Sequence, residues 1–486
     1  MPWEFDMPSN RGLKLSLATA LACALTAPLP ARADGPGPLK AYNADISESS
    51  ISGISSGAFM AVQFGTAWSS VIKGVGVVAG GPYYCAQATA ADIGGTLATL
   101  MATGPCMQGP PSDLNIFIKK ADDNAAAGSI DPTSGLSHQK IYLFHGTNDK
   151  VVASSDTDAA ADFYRHYLGQ ASSGNLFYQN TVGAGHSLVV LQEPQAQGLN
   201  NCPVNQSPYI NQCNYDQAGI ILQHIYGALN PRNPGELSGT LMTFAQATYT
   251  KPNAPNELSM GDTGYVYVPK DCEQGAGCRV HIALHGCKQD AGDIGSLYVD
   301  DTGYNAWADT NRIIILYPQT AAPQAFKSQV INPQACWDWW GYVDQNDDYV
   351  TKSGRQITAI KSMLDALTAA QKPIPQQVAA AGLAPTTLLV TDVTDTAAAL
   401  AWTPVPGANS YQVSRAGADG NFVPVGGVLL PSFGDSGLQP STSYRWRVTA
   451  VVNGKEGPAS PVASGTTVPT PASCWPGECP VTALTP

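Results

Sequence analysis

The chain has 486 residues, 44% of them hydrophobic and 13% charged, with a formal net charge of −12. Those proportions describe a globular protein of two or three domains with a lightly charged surface. The acidic balance disfavours nucleic acid and anionic membranes, which select basic partners, while an uncharged substrate remains compatible.

At the N-terminus Arg11 and Lys14 precede an apolar run from Leu15 to Leu29 that ends at Ala31-Arg32-Ala33. A basic start, a short apolar centre and an A-x-A cleavage pattern predict a signal peptide over residues 1–33. The run is too short for a membrane anchor. Met7 is the better start, because residues 1–6 add an acidic lead that signal peptides avoid. No later segment has the length and apolarity to span a bilayer. The expectation is a secreted, extracellular protein (the periplasm is the other destination) that is monomeric and has neither membrane nor nucleic acid as partner.

Of 11 cysteines, Cys23 leaves with the signal peptide, and the even remainder suits an oxidising compartment. Proximity pairs Cys85 with Cys106, Cys202 with Cys213, Cys272 with Cys278, and Cys474 with Cys479, which leaves Cys287 for Cys336. A metal site is the rival reading. It is disfavoured by the lack of any C-x-x-C pair and by only seven histidines, so neither metal nor cofactor is expected.

From residue 34 to residue 380 short apolar runs alternate with helical stretches and Gly-rich turns, the rhythm of an α/β catalytic domain. Ala44–Ile51 contains a short strand. Further strands are expected at Val75–Val78, Ile141–Phe144, Leu176–Tyr178, Gly264–Val268, Val280–Leu284 and Ile313–Tyr317. Helices are expected at Phe59–Trp68, Asp156–Tyr167, Tyr215–Tyr226 and Gln356–Ala370. In the first helix Met60, Phe64 and Trp68 recur every fourth residue, as one buried face would. Pro373, Pro375 and the Ala/Gly stretch after them mark a boundary.

Over residues 384–469 Thr, Val and Ser dominate, and turn signals recur about every 8 to 12 residues. Trp402 takes the place of a buried tryptophan on an early strand. Leu438-x-Pro440 followed by Tyr444-Arg445-Trp446-Arg447-Val448 has the pattern of a tyrosine corner leading into a long strand. This region resembles a fibronectin type III domain. Residues 470–486, Pro- and Thr-rich with one Cys474–Cys479 loop, are too few for another domain.

Chemistry enters at Gly53-Ile54-Ser55-Ser56-Gly57, a G-x-S-x-G nucleophile elbow before a helix. A serine needs a histidine to take its proton and a carboxylate to orient that histidine. His186 lies in the Gly-rich stretch Val182-Gly183-Ala184-Gly185-His186, and Asp149 follows the strand candidate Ile141–Phe144. The order Ser55, Asp149, His186 is that of α/β-hydrolases. Asp149 also reads as an ordinary turn or helix-capping residue, and His186 as a loop histidine.

The backbone N–H of Ser56 is one expected oxyanion donor. The second normally comes from a His-Gly loop preceding the nucleophile, and nothing upstream of Ser55 supplies one. His285-Gly286-Cys287, after a downstream strand, reads as that loop, with the Cys287 N–H as donor and His285 as a structural residue. The first half of a hydrolase sheet has thus been moved behind the second. The predicted fold is a circularly permuted α/β-hydrolase domain followed by an all-β sandwich.

Gly53-Ile54-Ser55-Ser56-Gly57-Ala58, Gly80-Gly81-Pro82-Tyr83-Tyr84-Cys85, His145-Gly146-Thr147-Asn148-Asp149, Gly185-His186, His285-Gly286-Cys287 and Cys336-Trp337-Asp338-Trp339-Trp340-Gly341-Tyr342 occur in this order. The set resembles the poly(3-hydroxybutyrate) depolymerases with a permuted catalytic domain, from about residue 40 to 372. The resemblance implies a serine esterase acting on short-chain polyhydroxyalkanoate polymer or oligomers, with Ser55, Asp149 and His186 as triad and Ser56 and Cys287 as oxyanion donors. It further implies a substrate-binding tryptophan, by position Trp337, carried to the oxyanion loop by a Cys287–Cys336 disulfide. Among Trp337, Trp339 and Trp340 at least one is expected in the core. The family usually adds a polymer-binding domain after its linker domain. Here the catalytic domain is expected to make most polymer contact, with the fibronectin-like domain as a spacer. A feruloyl or acetylxylan esterase is the alternative reading, since such enzymes share the His-Gly-Cys loop, but they generally keep the unpermuted order.

Overall fold

The structure, a computed structural model, describes residues 36–470 apart from 88–95, 192–197, 276, 324–331, 345–346, 371–383, 406–407, 418 and 453–454. The signal peptide, Met7, the Pro373–Pro375 boundary and the Cys474–Cys479 pair lie outside the described residues.

The first domain is built on one eight-stranded sheet. Its strands are β1 (Ser49–Ile54), β2 (Ile72–Val78), β3 (Lys140–Phe144), β4 (Leu176–Gln179), β5 (Thr240–Ala245), β6 (Thr263–Val268), β7 (Arg279–Leu284) and β8 (Ile313–Tyr317). They lie in the order β4-β3-β2-β1-β7-β8-β6-β5. β4, β3, β2, β1, β7 and β8 run parallel, and β6 and β5 are antiparallel additions at one edge. β1 is central and buried at every position, with β2 on one side and β7, some 230 residues later, on the other. That neighbour relation is the circular permutation expected above. The ends of the domain also meet: the N–H groups of Tyr42 and Asn43 donate to the carbonyls of Leu367 (3.0 Å) and Ala369 (3.1 Å).

Helices α1 (Ser56–Ala67), α2 (Leu114–Ala126), α3 (Ser154–Leu168), α4 (Gln217–Tyr226), α5 (Tyr304–Asn311) and α6 (Arg355–Thr368) flank the sheet. Two apolar clusters form, one packed around Ile51, Phe59, Phe64, Val75 and Leu284, the other around Ile54, Phe144, Ile221 and Ile315. All twelve residues of α1 are buried, so Met60 and Phe64 do not define one face of a half-exposed helix. The strand expected within Ala44–Ile51 occupies only the end of that stretch and runs on to Ile54. Asp45 caps a 3-10 turn over Ile46–Glu48, and the strand begins at Ser49.

The serines that disguise this strand are accommodated by a buried network. Ser50 Oγ meets His281 Nδ1 (2.6 Å) and Tyr226 Oη (2.6 Å), while Ser52 Oγ meets His281 Nε2 (2.7 Å) and Tyr304 Oη (2.7 Å). His281 lies directly opposite Ser50 in the β1–β7 register. Hydrogen bonding removes most of the penalty for burying polar groups here, and it fixes the pairing of two strands distant in sequence.

The second domain is a sandwich. Its strands are β9 (Leu388–Val393), β10 (Ala397–Trp402), β11 (Ser410–Ala416), β12 (Val423–Val428), β13 (Ser432–Ser436), β14 (Ser443–Val452), β15 (Lys455–Ala459) and β16 (Ala463–Thr466). One sheet is β9-β10-β13. The other is β12-β11-β14, with β15 and β16 both pairing to β14. Trp402, Val413 and Trp446 fill its core. The Tyr444 hydroxyl accepts from the Gln439 N–H (2.9 Å), closing the tyrosine corner.

Candidate active site

Four adjacent parallel strands end at the site. The Ser55 N–H donates to the Val78 carbonyl, Ala79 N–H to Phe144 and His145 N–H to Gln179, tying the carboxyl ends of β1, β2, β3 and β4 into one rim. Open α/β sheets place their ligands at such a rim.

Ser55 sits between β1 and α1 with φ +55° and ψ −123°, a strained conformation for a residue with a side chain. The turn is possible because its glycines have no room for more. A Cβ on Gly53 would collide with the Gly57 carbonyl, and a Cβ on Gly57 would collide with the carbonyls of Leu284 and His285. Ser55 remains partly exposed, whereas Ser56 is buried and its hydroxyl accepts from the Trp337 N–H (3.3 Å). Of the two serines, Ser55 is the one presented outward.

Asp149 makes contacts of both kinds. Its Oδ1 accepts from the N–H groups of Val151 (2.8 Å) and Val152 (3.0 Å), shaping the turn into α3, while Oδ2 faces His186 Nδ1 at 2.8 Å. Burial pushes the Asp149 pKa up, but the His186 imidazole and the two amides outweigh it and hold it below the ordinary carboxylate value. His145, beside it, donates through Nε2 to the Val152 carbonyl (2.9 Å) and braces the same turn. His186 is itself buried, with the Tyr209 ring edge-on at 5.8 Å. Among the described residues Ser55 Oγ makes no hydrogen bond to His186 Nε2. Such bonds are often long before substrate binds.

The His285-Gly286-Cys287 loop leaves β7 and lies against the elbow. A Cβ on Gly286 would come within 3.2 Å of both the Ile54 carbonyl and Ser55 Cβ. The N–H groups of Ser56 and Cys287 have no protein acceptor among the described residues. His285 is fully buried, accepts from the Thr320 N–H (3.2 Å) and lies beside its own loop's Gly286 carbonyl (2.7 Å). Burial drives its pKa down to about 4, so it stays neutral and structural.

Four expected disulfides are present: Cys85–Cys106, Cys202–Cys213, Cys272–Cys278 and Cys287–Cys336. The last joins the His285-Gly286-Cys287 loop to the segment that carries Trp337, but the expected role of Trp337 as a substrate wall needs correction. Its side chain has 0% exposure. The ring packs on His285, and Nε1–H donates to the His285 carbonyl (3.0 Å). The indole stays inside because its N–H finds that buried acceptor, so it braces the His285-Gly286-Cys287 loop from behind. Trp339 stacks on Phe59, and of the three tryptophans only Trp340 keeps appreciable exposed surface. Two residues without a sequence motif, Asn205 and Gln289, reach into the loops around the site. No group of His, Cys, Asp and Glu suited to a metal ion occurs among the described residues, and no described helix is long and apolar enough to cross a membrane.

Residues 383–466 match the fibronectin type III domain family. The chain is 39% identical over 432 residues to a poly(3-hydroxybutyrate) depolymerase of Delftia acidovorans, covering 88% of this chain and 80% of that protein. It is 38% identical over 331 residues to a polyhydroxybutyrate depolymerase of Talaromyces funiculosus, covering 66% of this chain and 90% of that protein. A PHB depolymerase solved in complex with an R3HB trimer superposes with a TM-score of 0.59 at 36% identity, covering 68% of this chain and 98% of that one. The chain belongs to the poly(3-hydroxybutyrate) depolymerase family and is a carboxylic-ester hydrolase.

Proposed function

We propose that the chain is a secreted serine esterase that cleaves poly(3-hydroxybutyrate) or its oligomers through an acyl-enzyme. The observation that supports this most is the joint geometry at the rim. A strained, outward Ser55 heads α1, a 2.8 Å His186–Asp149 pair stands on the neighbouring loops, and two unpaired N–H groups flank the serine. The signal-like leader and the disulfides support secretion.

In the proposed reaction His186 Nε2 takes the Ser55 proton as Oγ attacks the ester carbonyl. The ionised Asp149 holds Nδ1–H and stabilises the imidazolium. The carbonyl oxygen gains charge where the Ser56 and Cys287 N–H groups point, at the positive end of the twelve-residue α1. His186 then returns its proton to the leaving alkoxide, the hydroxyl end of the released fragment. Water, deprotonated by the same imidazole, attacks the acyl-enzyme and frees the carboxylate with Ser55 restored. An uncharged ester asks for no cationic subsite, which agrees with the acidic net charge.

Ser55→Ala should lower kcat for soluble 3-hydroxybutyrate oligomers by several orders of magnitude without unfolding the protein. Near-normal turnover by Ser55→Ala, with Ser56→Ala inactive, would move the nucleophile by one residue and overturn the assignment.

A further inference from the structure

The base loop, the acid loop and the oxyanion loop leave different strands, and the oxyanion loop comes from the far end of the sequence. We propose that the disulfide-closed segment Cys202–Cys213 is the element that holds all three in register, acting through two positioning residues, Asn205 and Gln289. This rests on the triad reading above.

Asn205 joins the first two loops with one carboxamide. Its Oδ1 accepts from the N–H of His186 (2.8 Å) and of Lys150 (3.0 Å), and its Nδ2 donates to the carbonyls of Asn148 (3.0 Å) and Pro203 (3.1 Å). Two donors and two acceptors exhaust what the side chain can make. Backbone contacts reinforce the link. Gly185 N–H donates to Cys202 O (2.8 Å), Asn148 N–H donates to Ala184 O (2.9 Å), and a Cβ on Gly185 would collide with the Val204 carbonyl. The Gly-rich texture before His186 therefore serves this close approach.

The third loop is reached from the same segment's other end. The buried Gln289 accepts from the Gly286 N–H through Oε1 (2.7 Å) and donates through Nε2 to the carbonyls of Pro208 (2.8 Å) and Tyr209 (3.1 Å). The Tyr209 carbonyl also accepts from the Leu188 N–H (3.0 Å). The path from the loop carrying the oxyanion donor to the loop carrying the base thus runs through this segment. Internally the segment is held by Asn211, which donates to the carbonyls of Cys202 (2.8 Å) and Val204 (2.7 Å).

Neither Asn205 nor Gln289 touches a reacting atom in this arrangement, so their loss should misplace groups and leave ground-state substrate contacts intact. A displacement of about 1 Å can cost about 100-fold in rate.

The test uses the full-length enzyme on soluble 3-hydroxybutyrate oligomers. Asn205→Ala and Gln289→Ala should each lower kcat by about 10- to 100-fold with KM changed little. Asn205→Asp keeps both accepted bonds while placing a charge beside the base. It should move the acid limb of the kcat/KM profile up by roughly half to one pH unit. Gln289→Ala should leave that limb in place. Because both act through one segment, the double alanine variant should lose less than the product of the single losses. A residue that only stabilised the fold would lower the melting temperature and leave kcat of the folded enzyme and the acid limb unmoved. The proposal is overturned if the folded single variants keep kcat within about threefold and Asn205→Asp leaves the limb unmoved. An active Ser55→Ala enzyme would instead bring down the triad reading.

Discussion

The two halves of the catalytic sheet divide the work unequally. The half built from β1 to β4 and the segment after them, residues 49–212, carries every side chain assigned to the reaction: Ser55, Asp149 and His186. In the proposed reaction the half built from β5 to β8, with the residues that follow, contributes a backbone N–H at Cys287 and the groups that stiffen its loop, His285 and Trp337. Side-chain chemistry needs particular residues on neighbouring rims, whereas an oxyanion donor needs only a peptide group held in place. If the proposed site is right, the two halves should be exchangeable in sequence order without loss of the site. Whichever half comes first, β1 must still meet β7. The seam between them is therefore where stability and activity are coupled.

The largest effect should come from removing one side of the seam. A chain ending at residue 235 would expose β1 along its full length and leave α1 without the β7 surface beneath it. It should be insoluble or lack cooperative unfolding, whereas a chain ending near residue 380 should unfold cooperatively. A soluble, active fragment lacking residues 236–380 would refute the permuted sheet as a single folding unit.

A smaller insult at the seam is Gly57→Ala. The added methyl would meet the carbonyls of Leu284 and His285, which are backbone and cannot turn aside. The two halves must separate locally, at a cost of about 1–3 kcal/mol, and the oxyanion loop moves with them. Urea unfolding and kcat should both suffer. A variant of normal stability with normal kcat would show that the seam is looser than described.

The most graded effect is pH dependence. Burial drives the His281 pKa down to about 3 and that of His285 down to about 4. Both are depressed in the folded state, so below the ordinary imidazole value the unfolded chain takes up protons that the folded chain refuses. Stability should be fully present above about pH 6.5. It should fall as pH drops toward 4, by about 1.4 kcal/mol per pH unit for each imidazole. His281→Asn should remove one proton from that slope, even though it also weakens the Ser50 and Ser52 contacts. Urea midpoints between pH 4.5 and 7 measure it, and an unchanged slope would show that His281 titrates normally.

Much of this architecture is legible in the sequence because central parallel strands are continuous apolar runs. β2, β3, β7 and β8 each lie at or within a residue or a few of their expected places. β1 is only partly legible, with its bounds blurred, because Ser49, Ser50 and Ser52 resemble a turn until His281, Tyr226 and Tyr304 are brought beside them by the fold. β5 gave no apolar run because it is an edge strand whose first four residues are not buried. The paired segments Leu188–Val190, Asn200–Asn201 and Ile210–Gln212 are too short for periodicity to register. At the site, Asp149 and His186 could be singled out by context. The burial of Trp337 could not, because a tryptophan beside a loop reads the same whether its ring faces substrate or the core. Asn205 and Gln289 carry no motif, and their meaning lies wholly in carbonyls and amides supplied by distant segments.

The central claim is that the site is assembled across the seam and is indifferent to the order in which the halves are connected. Undoing the permutation tests it most directly. The carbonyls of Leu367 and Ala369 already bind the N–H groups of Tyr42 and Asn43, so a short linker can join residue 370 to residue 42. New termini would be opened between the exposed Gly235 and Glu236. The rejoined catalytic domain should fold and hydrolyse soluble 3-hydroxybutyrate oligomers with kcat/KM within about tenfold of the same domain in its natural order. A rejoined domain that unfolds cooperatively at the parental temperature yet has lost activity by orders of magnitude would contradict the account.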